Sequence, residues 1–456
     1  MLLSLSEIVK AVGSLPVYAE DIHFTGVCTD TRLVSEGNLF VALVSPKDNG
    51  HRYVDAAILG GATAVVVSED LEAIGVPVLR VADTTVAYGQ IARLWRDRFD
   101  IPVVGVTGSV GKTTTKEMLA AVLSPLGPVL KTELSQNNET GVPKALLNLT
   151  QDHRAAVIEM GMRGKGQIAE LCGIARPVVG VITVISDNHI ELLGSQEAIA
   201  DSKGELVASL SNDDIAVLNA DDPFSQRLSR LTSAKIVRFG SSELTDYRVT
   251  GERREDDGWV FDLNGTTVRT LSPARHDISN AAAAITVAIQ CGVEPKDAAD
   301  ALAQYVPAPM RMELVKMETW DGLILNDAYN AAPASVKSAL DTLFSYERGR
   351  KIAFLGDMKE LGERSESAHR ELGEAIETHG GLDALYTVGE LAAGIAGAKQ
   401  RFSNSLEAAE FAAQKLDLKP GDTILVKGSR SMAMEKVVNA LSNRDTLDPE
   451  GQTNVT

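Results

Sequence analysis

Short apolar runs alternate with amphipathic segments along most of the chain. A short apolar run bounded by turn residues is typical of a buried parallel strand, and apolar residues at helical spacing indicate a helix. Strands are predicted at 27–32, 38–43, 63–67, 101–106, 155–158, 178–184, 215–218, 323–326, 352–355, 384–388 and 423–426. Helices are predicted at 51–61, 85–99, 115–123, 334–346, 366–379 and 406–416. Strands separated by helices predict doubly wound α/β sheets, which bind ligands at the carboxyl ends of their strands.

The length of 456 residues and this alternation predict three domains. Residues 1–98 form a small N-terminal α/β domain, whose own sequence indicates no function. Residues 99–312 form a central domain around a doubly wound parallel sheet, and residues 313–456 form a third domain with an open, Rossmann-like α/β sheet. The polar tail, from about residue 444, is expected to be disordered.

The most informative stretch follows the predicted strand 101–106. It reads Thr107, Gly108, Ser109, Val110, Gly111, Lys112, Thr113 and Thr114, and it leads directly into the predicted helix 115–123. Glycines in such a turn let backbone N–H groups face phosphate oxygens, and the helix N-terminus adds partial positive charge. Lys112 can reach the β- and γ-phosphates, and the Thr113 hydroxyl can bind Mg²⁺. Val106 stands where the usual pattern has glycine, so the loop is a variant; an ordinary Gly-Ser turn before a helix is the alternative.

Composition excludes several classes of function. The formal net charge of −18 disfavours nucleic acid as a partner, because nucleic-acid binding requires a broad basic surface. The apolar runs are shorter than the ~20 residues of a membrane span, and the N-terminus lacks the basic segment of a signal peptide. Cys28, Cys172 and Cys291 form no Cys-x-x-Cys pair, which suits a reducing cytoplasm and argues against thiolate metal sites.

Three further residues could carry chemistry. Glu159 ends a predicted buried strand, where a carboxylate is either a salt-bridged helix cap or a ligand for the metal that accompanies a triphosphate. His189 lies in a loop, where an imidazole is either a hydrogen-bonding residue or a ligand. Lys203 lies in a helical stretch and, on sequence pattern alone, is interpreted as a surface lysine.

Other polar residues lie beside predicted helices and at a domain boundary. Asn137 and Asn138 form a polar turn before a helix that is predicted to start near Pro143. Asn280 precedes an alanine-rich helix, where it could bind an adenine edge or cap the helix. Arg311 lies at the second domain boundary, where an arginine could close over phosphates.

Several stretches, taken with the Gly-Lys-Thr loop, resemble the Mur ligase family of ATP-dependent peptidoglycan amide ligases. They are residues 29–32, 38–43, 137–143, 355–362 and 426–430, and the resemblance spans nearly the whole chain. They favour the branch of the family that joins D-alanyl-D-alanine to UDP-N-acetylmuramoyl-tripeptide through an acyl phosphate, with hydrolysis of ATP to ADP and phosphate. The Asp-Asn-Pro-Arg signature of the sister ligase that adds the third amino acid is absent.

The resemblance implies ATP and two Mg²⁺ ions as cofactors, and a monomer as the expected state. It implies that Glu159 and His189 bind Mg²⁺, and that Lys203 becomes a carbamate by reaction with CO₂ and so turns into an anionic metal ligand. It assigns Asn280, Arg311 and Asp327 to the nucleotide. It assigns to the substrates Thr31 and Arg32 near the uridine nucleotide, Asn137, Asn138, Tyr329 and Asn330 at the cleft, and Lys427, Gly428 and Ser429 near the incoming amine.

Some positions depart from the family pattern. Asp277 replaces an asparagine, Met310 replaces a glycine before Arg311, and Ala332 replaces an asparagine. Lys112, Thr113, Glu159, His189 and Lys203 match it. Two alternatives stay open: another ligase of the superfamily that uses a different amine acceptor, such as glutamate for folate, and a nucleotide-gated binding protein.

Overall fold

A computed structural model describes residues 2–14, 21–71, 75–186, 190–255 and 258–446. Its first part, up to Arg96, carries a parallel sheet of four strands in the order β3-β4-β5-β6 within the described residues. The elements are β1 (Leu3–Ser4), α1 (Leu5–Val12), β2 (His23–Phe24), β3 (Gly26–Cys28), β4 (Asn38–Val41), α2 (Val54–Leu59), β5 (Ala62–Val67), β6 (Val78–Arg80) and α3 (Thr84–Arg96), with 3₁₀ turns at Thr31–Leu33 and Gly50–Tyr53.

The predicted strand 27–32 ends earlier than expected. The Asp30 side chain accepts a hydrogen bond from the backbone N–H of Arg32, with a donor–acceptor distance of 3.0 Å, and this closes the 3₁₀ turn Thr31–Leu33. An aspartate that bonds to the backbone two residues on is a turn signal, and here it outweighs the apolar pattern.

The central part contains the largest sheet in the described ranges, with the strand order β15-β14-β13-β12-β11-β10-β7-β9-β8. Its strands are β7 (Val103–Thr107), β8 (Val129–Lys131), β9 (Ala155–Glu159), β10 (Val179–Ile182), β11 (Ile215–Asn219), β12 (Lys235–Gly240), β13 (Tyr247–Glu255), β14 (Gly258–Leu263) and β15 (Thr266–Thr270). Its helices are α4 (Lys112–Val122), α5 (Gly141–Leu146), α6 (Gln167–Ala175), α7 (Ile190–Leu193), α8 (Gln196–Ala208), α9 (Ser225–Ser229), α10 (Asp277–Gln290) and α11 (Pro295–Leu302), with a 3₁₀ turn at Ser124–Leu126.

The sequence pattern predicts a parallel sheet, but this sheet is parallel only in part. Strands β13, β14 and β15 pair in antiparallel fashion and extend one edge. Asn264 and Gly265 join β14 to β15 with φ angles of 50° and 86°. An Asn-Gly pair with both φ angles positive is the favoured two-residue hairpin turn, so this hairpin did have a local signal in the sequence.

The last part forms a sheet with the order β16-β17-β21-β18-β19-β20 among its described residues, parallel except for the antiparallel pair β16–β17. The elements are β16 (Glu313–Met317), β17 (Gly322–Asp327), α12 (Pro333–Phe344), β18 (Lys351–Gly356), α13 (Ser365–His379), β19 (Ala384–Val388), β20 (Gln400–Phe402), α14 (Ser405–Gln414), β21 (Thr423–Lys427) and α15 (Glu435–Ser442). Further 3₁₀ turns lie at Gly362–Arg364, Ala392–Gly394, Arg430–Met432 and Asn443–Thr446.

The predicted disorder of the tail, from about residue 444, stays a prediction. Asn443–Thr446 form a 3₁₀ turn, and the Arg444 guanidinium donates to the backbone oxygens of Ala413 (2.6 Å) and Leu416 (2.9 Å). Residues 447–456 lie outside the described residues.

The predicted α/β fold with parallel sheets is confirmed. Strand β7 pairs with β9 on one side and β10 on the other, and the chain crosses to opposite sides of β7 to form them. Such a reversal of strand order opens a crevice at the carboxyl ends of the strands, where the loop after β7 lies. The division at 98/99 and 312/313 stays a prediction. No helix in the described ranges is both long and apolar enough to cross a bilayer.

A buried arginine joins α3 to the end of α6 in the central part. The Arg96 side chain is 7% exposed and donates to the backbone oxygens of Ala175 (3.0 Å), Phe99 (2.7 Å) and Arg176 (3.4 Å). Burial lowers the pKa of Arg96 below its usual value. Three backbone oxygens at the end of α6 and after α3 thus depend on one guanidinium.

Replacing Arg96 with methionine is expected to lower the free energy of unfolding by about 3 kcal/mol, because buried carbonyls lose charged donors. Urea denaturation of the full chain measures the change. Arg93→Met, in the same helix, is the control; the Arg93 side chain is 37% exposed, and its loss is expected to cost less than about 1 kcal/mol. Equal losses for the two variants would contradict this role of Arg96.

Candidate active site

The loop between β7 and α4 is held in an open, anion-binding shape. A Cβ atom at Gly108 would lie 1.9 Å from Oγ1 of Thr183, and one at Gly111, where φ is 83°, would lie 2.5 Å from Oδ1 of Asn280. Only glycine fits such positions without a shift of the neighbours. Gly111 precedes α4, and no side chain caps the helix, so its first N–H groups face the loop.

Neighbouring segments fix the loop from outside. The Ser109 N–H donates to the Val184 backbone oxygen at 2.7 Å, and the Thr183 hydroxyl donates to the Val110 backbone oxygen at 2.6 Å. Lys112 Nζ donates to the Gly108 and Ser109 backbone oxygens at 2.8 and 3.3 Å. The Lys112 ammonium therefore lies against the loop, within reach of an anion that binds there.

The electrostatics around Lys112 are balanced by a carboxylate. Burial lowers the pKa of Lys112, and the charge of Glu159 opposes that shift. The nearby Arg311 guanidinium lowers the pKa of Lys112 further. Lys112 and Arg311 thus lie near each other beside one carboxylate, and a bound polyphosphate would compensate the charge of both cations.

Glu159 ends β9 and is 1% exposed. Its Oε2 accepts from the Thr113 hydroxyl at 2.9 Å, and its Oε1 accepts from the Asn137 side-chain amide at 2.8 Å. Lys116 Nζ lies 3.8 Å from Oε2. The carboxylate is therefore not a helix cap; it forms part of a polar cluster at the base of the loop.

Lys203 is buried, contrary to the interpretation as a surface lysine. It lies on α8 and is 1% exposed. The pKa of Lys203 falls well below its usual value because of burial and, secondarily, the charge of Lys112. Among the described residues no hydrogen-bond or ion-pair partner holds its amine. The residue lines a polar cavity of 740 Å³, together with Lys112 and Asn137.

His189 lies outside the described residues, so its candidate role as a ligand stays a prediction. Within the described ranges no group of three or more His, Cys, Asp or Glu side chains is arranged to hold a metal ion.

Asn138 is engaged at the start of α5. Its Oδ1 accepts from the Gly141 N–H at 3.0 Å and from the Thr140 hydroxyl at 3.2 Å. It also lines the 740 Å³ cavity, together with Asn137. Asn138 therefore stabilises the turn that the sequence predicts and also lines the cavity.

A second cavity, of 330 Å³, lies between the central and last sheets. The phosphate loop from Ser109 to Thr114 lines one side, with Asn137 and Glu159. The other side includes Arg311, Asp327, Tyr329, Asn330 and Lys427. The Arg311 guanidinium lies 4.0 Å from the Tyr329 ring centroid, and the Tyr329 hydroxyl contacts the Ser135 hydroxyl across the cleft. The structure thus brings together residues more than 200 positions apart in the sequence.

The far wall is anchored by a buried lysine. Lys427 is 3% exposed, and its Nζ donates to Asp327 Oδ2 at 2.5 Å and to the Asn330 backbone oxygen at 2.8 Å. Asp327 Oδ1 accepts from the Met312 N–H at 3.2 Å. Met310 and Met312, on either side of Arg311, both have positive φ angles, 60° and 51°, so this bend is a strained one.

Gly428 and Ser429 brace the loop after β18. A Cβ at Gly428 would lie 2.6 Å from Cγ of Met434. The buried Ser429 hydroxyl accepts from the Lys359 N–H at 2.8 Å. Neither residue lines the 330 Å³ cleft; of the three residues 427–429, Lys427 does.

Asn280 lies within α10 rather than at its start, where His276 occupies the cap position. Its Oδ1 accepts from the Thr115 hydroxyl at 3.2 Å, and its Nδ2 donates to Asp277 Oδ1 at 2.7 Å. The helix-cap interpretation is therefore wrong, and the side chain is committed to packing α10 against α4. Contact with adenine stays a prediction.

Thr31 and Arg32 do not join this site. The Arg32 side chain is 85% exposed and forms a forked ion pair with Asp30, at 2.9 Å from Nε and 2.6 Å from Nη2. Neither residue lines the two cavities described above. Their candidate role near uridine stays a prediction.

The sequence pattern did not single out Lys116, His276 or Ser338. The His276 ring nitrogen Nδ1 lies 2.7 Å from the Ser338 hydroxyl across the cleft, and both residues line it. Lys116 had one available signal, since it lies three residues after Thr113 and therefore on the same helix face.

Known proteins share this architecture. Residues 106–288 match the Mur ligase middle domain, and residues 310–430 match the glutamate ligase domain of Mur ligases. The UDP-N-acetylmuramoyl-tripeptide–D-alanyl-D-alanine ligase of Synechocystis sp. is 39% identical over 93% of this chain and 93% of its own. Of the solved structures, MurF from Acinetobacter baumannii is 29% identical with a TM-score of 0.88, over 97% of this chain and 99% of its own.

A further solved structure contains a nucleotide. MurF ligase from Thermotoga maritima in complex with ADP is 29% identical with a TM-score of 0.83, and the match covers 92% of this chain and 97% of that one. The likeness in sequence and in fold extends over nearly the whole length of each protein compared. This chain therefore belongs to the UDP-N-acetylmuramoyl-tripeptide–D-alanyl-D-alanine ligase family of Mur ligases.

Proposed function

We propose that this chain joins D-alanyl-D-alanine to the terminal carboxylate of UDP-N-acetylmuramoyl-tripeptide, with ATP converted to ADP and phosphate. One observation carries the proposal: the cluster of Lys112, Thr113 and Glu159 faces Asp327 and Lys427 across a single cleft. The whole-length relationship to ligases of this name supports the choice of substrates. The N-terminal domain would bind the uridine nucleotide, and the third domain would bind the dipeptide.

The phosphate loop would bind the triphosphate. The N–H groups at the start of α4 and the Lys112 ammonium would compensate the charge on the β- and γ-phosphates. Arg311 would approach from the other side of the cleft, held against the Tyr329 ring. Asn280 would act indirectly, because its amide is bonded to Thr115 and Asp277 and keeps α10 against the loop helix.

The donor set beside the loop fits Mg²⁺. Thr113 and Glu159 offer a hydroxyl and a carboxylate oxygen 2.9 Å apart, both buried, and hard oxygen donors are what Mg²⁺ prefers. These two residues would hold one ion. When bound, Mg²⁺ would withdraw charge from the β,γ-phosphate oxygens and favour attack by an anion.

Lys203 fits the second metal site only after chemical conversion. An ammonium repels a cation, but burial favours the neutral amine. A neutral amine adds to CO₂, with loss of one proton, to give an N-carboxylate whose oxygens can bind Mg²⁺ together with His189. Lys203 lines the 740 Å³ cavity, through which CO₂ would reach the amine.

The reaction would proceed in two displacements. A carboxylate oxygen of the tripeptide attacks the γ-phosphorus, the bond to the β,γ-bridging oxygen breaks, and ADP leaves an acyl phosphate behind. The amine of D-alanyl-D-alanine then attacks the acyl carbon, loses a proton and expels phosphate. Positively charged groups such as Lys112 would act mainly by neutralising and aligning two anions that otherwise repel each other. Because both sheets wall the cleft, water can be excluded from the acyl phosphate.

The full chain is expected to release phosphate from ATP only when UDP-N-acetylmuramoyl-tripeptide and D-alanyl-D-alanine are both present at saturating concentration. The measurement is a coupled phosphate assay, with each substrate omitted in turn and the amide product identified by mass spectrometry. Glutamate with a folate acceptor serves as the alternative substrate pair. Turnover with that pair, or ATP hydrolysis that no carboxylate acceptor stimulates, would contradict the proposal.

Lys203→Ala is expected to lower kcat by about 100-fold or more, because removal of a preorganised charged group near the transferred phosphate has effects of that size. Acetate or formate is expected to restore part of the rate, since a small carboxylate can occupy the space of the carbamate. Lys165→Ala, at an exposed position before α6, is the control and should keep the wild-type rate with or without acetate. Wild-type turnover of Lys203→Ala would remove the carbamate from the mechanism.

A further inference from the structure

Lys116 is a fully buried lysine that the proposed mechanism does not use. Its side chain is 0% exposed, on the face of α4 that also carries Thr113. Its Nζ donates to the Leu134 backbone oxygen at 2.8 Å and lies 3.0 Å from Glu117 Oε1 and 3.8 Å from Glu159 Oε2. A buried ammonium is strongly unfavourable unless such partners compensate it.

The segment held by Lys116 also holds Glu159. Thr132 Oγ1 accepts from the Glu159 N–H at 3.0 Å, and the Asn137 amide donates to Glu159 Oε1 at 2.8 Å. Leu134 lies between these two residues with a φ angle of 48° and a side chain that is 71% exposed. A leucine in the left-handed region is strained, and no packing of its own side chain accounts for the conformation. The bond from Lys116 to its carbonyl is one of the contacts that stabilise this bend; the Gln136 N–H also donates to the Glu133 backbone oxygen across it, at 3.0 Å.

We propose that Lys116 is a positioning residue, which fastens segment 132–137 to the phosphate-loop helix and balances the charge of Glu159, so that the site takes up a divalent cation together with the nucleotide rather than alone. The inference rests on the proposed function, since Glu159 is taken as a metal ligand. Its physical basis is that a free cation must share the Glu159 carboxylate with an ammonium 3.8 Å away. A metal that arrives with ATP brings phosphate charges that offset this repulsion.

Another lysine provides a matched control. Lys131 also contacts Glu117, but it is 42% exposed, and neither Glu159 nor the Leu134 carbonyl is among its contacts in the described residues. Loss of the Glu117 ion pair is therefore common to Lys116→Met and Lys131→Met. Loss of the contacts with Glu159 and Leu134 is specific to Lys116→Met.

The test measures Mn²⁺ binding without nucleotide, by electron paramagnetic resonance, on the full chain. Lys116→Met is expected to bind Mn²⁺ about tenfold more tightly than the wild type, because the competing charge is gone. Its kcat is expected to fall at least about tenfold with a smaller change in KM for ATP, because the bend at Leu134 is released. Lys116→Arg should keep the wild-type Mn²⁺ affinity and recover part of kcat, and Lys131→Met should match the wild type in both measurements.

Lys116→Gln is the second charge-removing variant, should Lys116→Met fail to fold. Its amide can still donate to a backbone oxygen, so it should bind Mn²⁺ more tightly with a smaller loss of kcat. Wild-type Mn²⁺ affinity and kcat in the variant that folds would overturn the inference. Glu159→Gln separates this failure from that of the proposed function: if it leaves binding of Mn²⁺ with ADP unchanged, the proposed metal site itself is wrong.

Discussion

Three parts of the chain meet at the carboxylate of Glu159. The residue ends β9, Thr113 comes from the loop helix, Asn137 from the segment before α5, and Lys116 from one turn further along α4. The carboxylate is almost fully buried, so each partner compensates part of an otherwise unfavourable charge. The same contacts hold the phosphate loop at a fixed distance from β9. The shape of the phosphate loop and the charge compensation of Glu159 therefore depend on each other.

A second set of contacts joins the central sheet to the last sheet around the same cleft. Tyr329 contacts Ser135, and Ser338 contacts His276. At another point, a Cβ on Gly362 would lie 2.1 Å from Oε2 of Glu191, so the 3₁₀ turn there packs directly on α7. Polar contacts of this kind can be broken and remade at modest cost, which suits two walls that admit substrates and then exclude water.

Local patterns in the sequence predicted about half of the described strands and the loop. The apolar runs that became β9, β11 and β19 are buried on both faces, and such runs have a periodicity that is easy to recognise. The prediction failed where a competing local rule acted, as at Asp30, or where antiparallel strands β13 to β15 alternate more polar residues on an exposed edge. Sequence resemblance assigned Thr31 and Arg32 to the uridine nucleotide; neither lines the cleft described here, and that role stays a prediction.

By itself the sequence determined the fold class, the phosphate loop and the residue types available for chemistry, because each is encoded in short, contiguous patterns. Tertiary structure decided which of those residues are buried and which partners they contact. Lys203 and Lys116 have the appearance of surface helix lysines until the packing of other segments removes them from water. Asn280 allowed a helix cap as one of two interpretations, and its position within α10, bonded to Thr115 of α4, excludes that one. Burial and partnership depend on segments distant in sequence, so no local pattern can specify them.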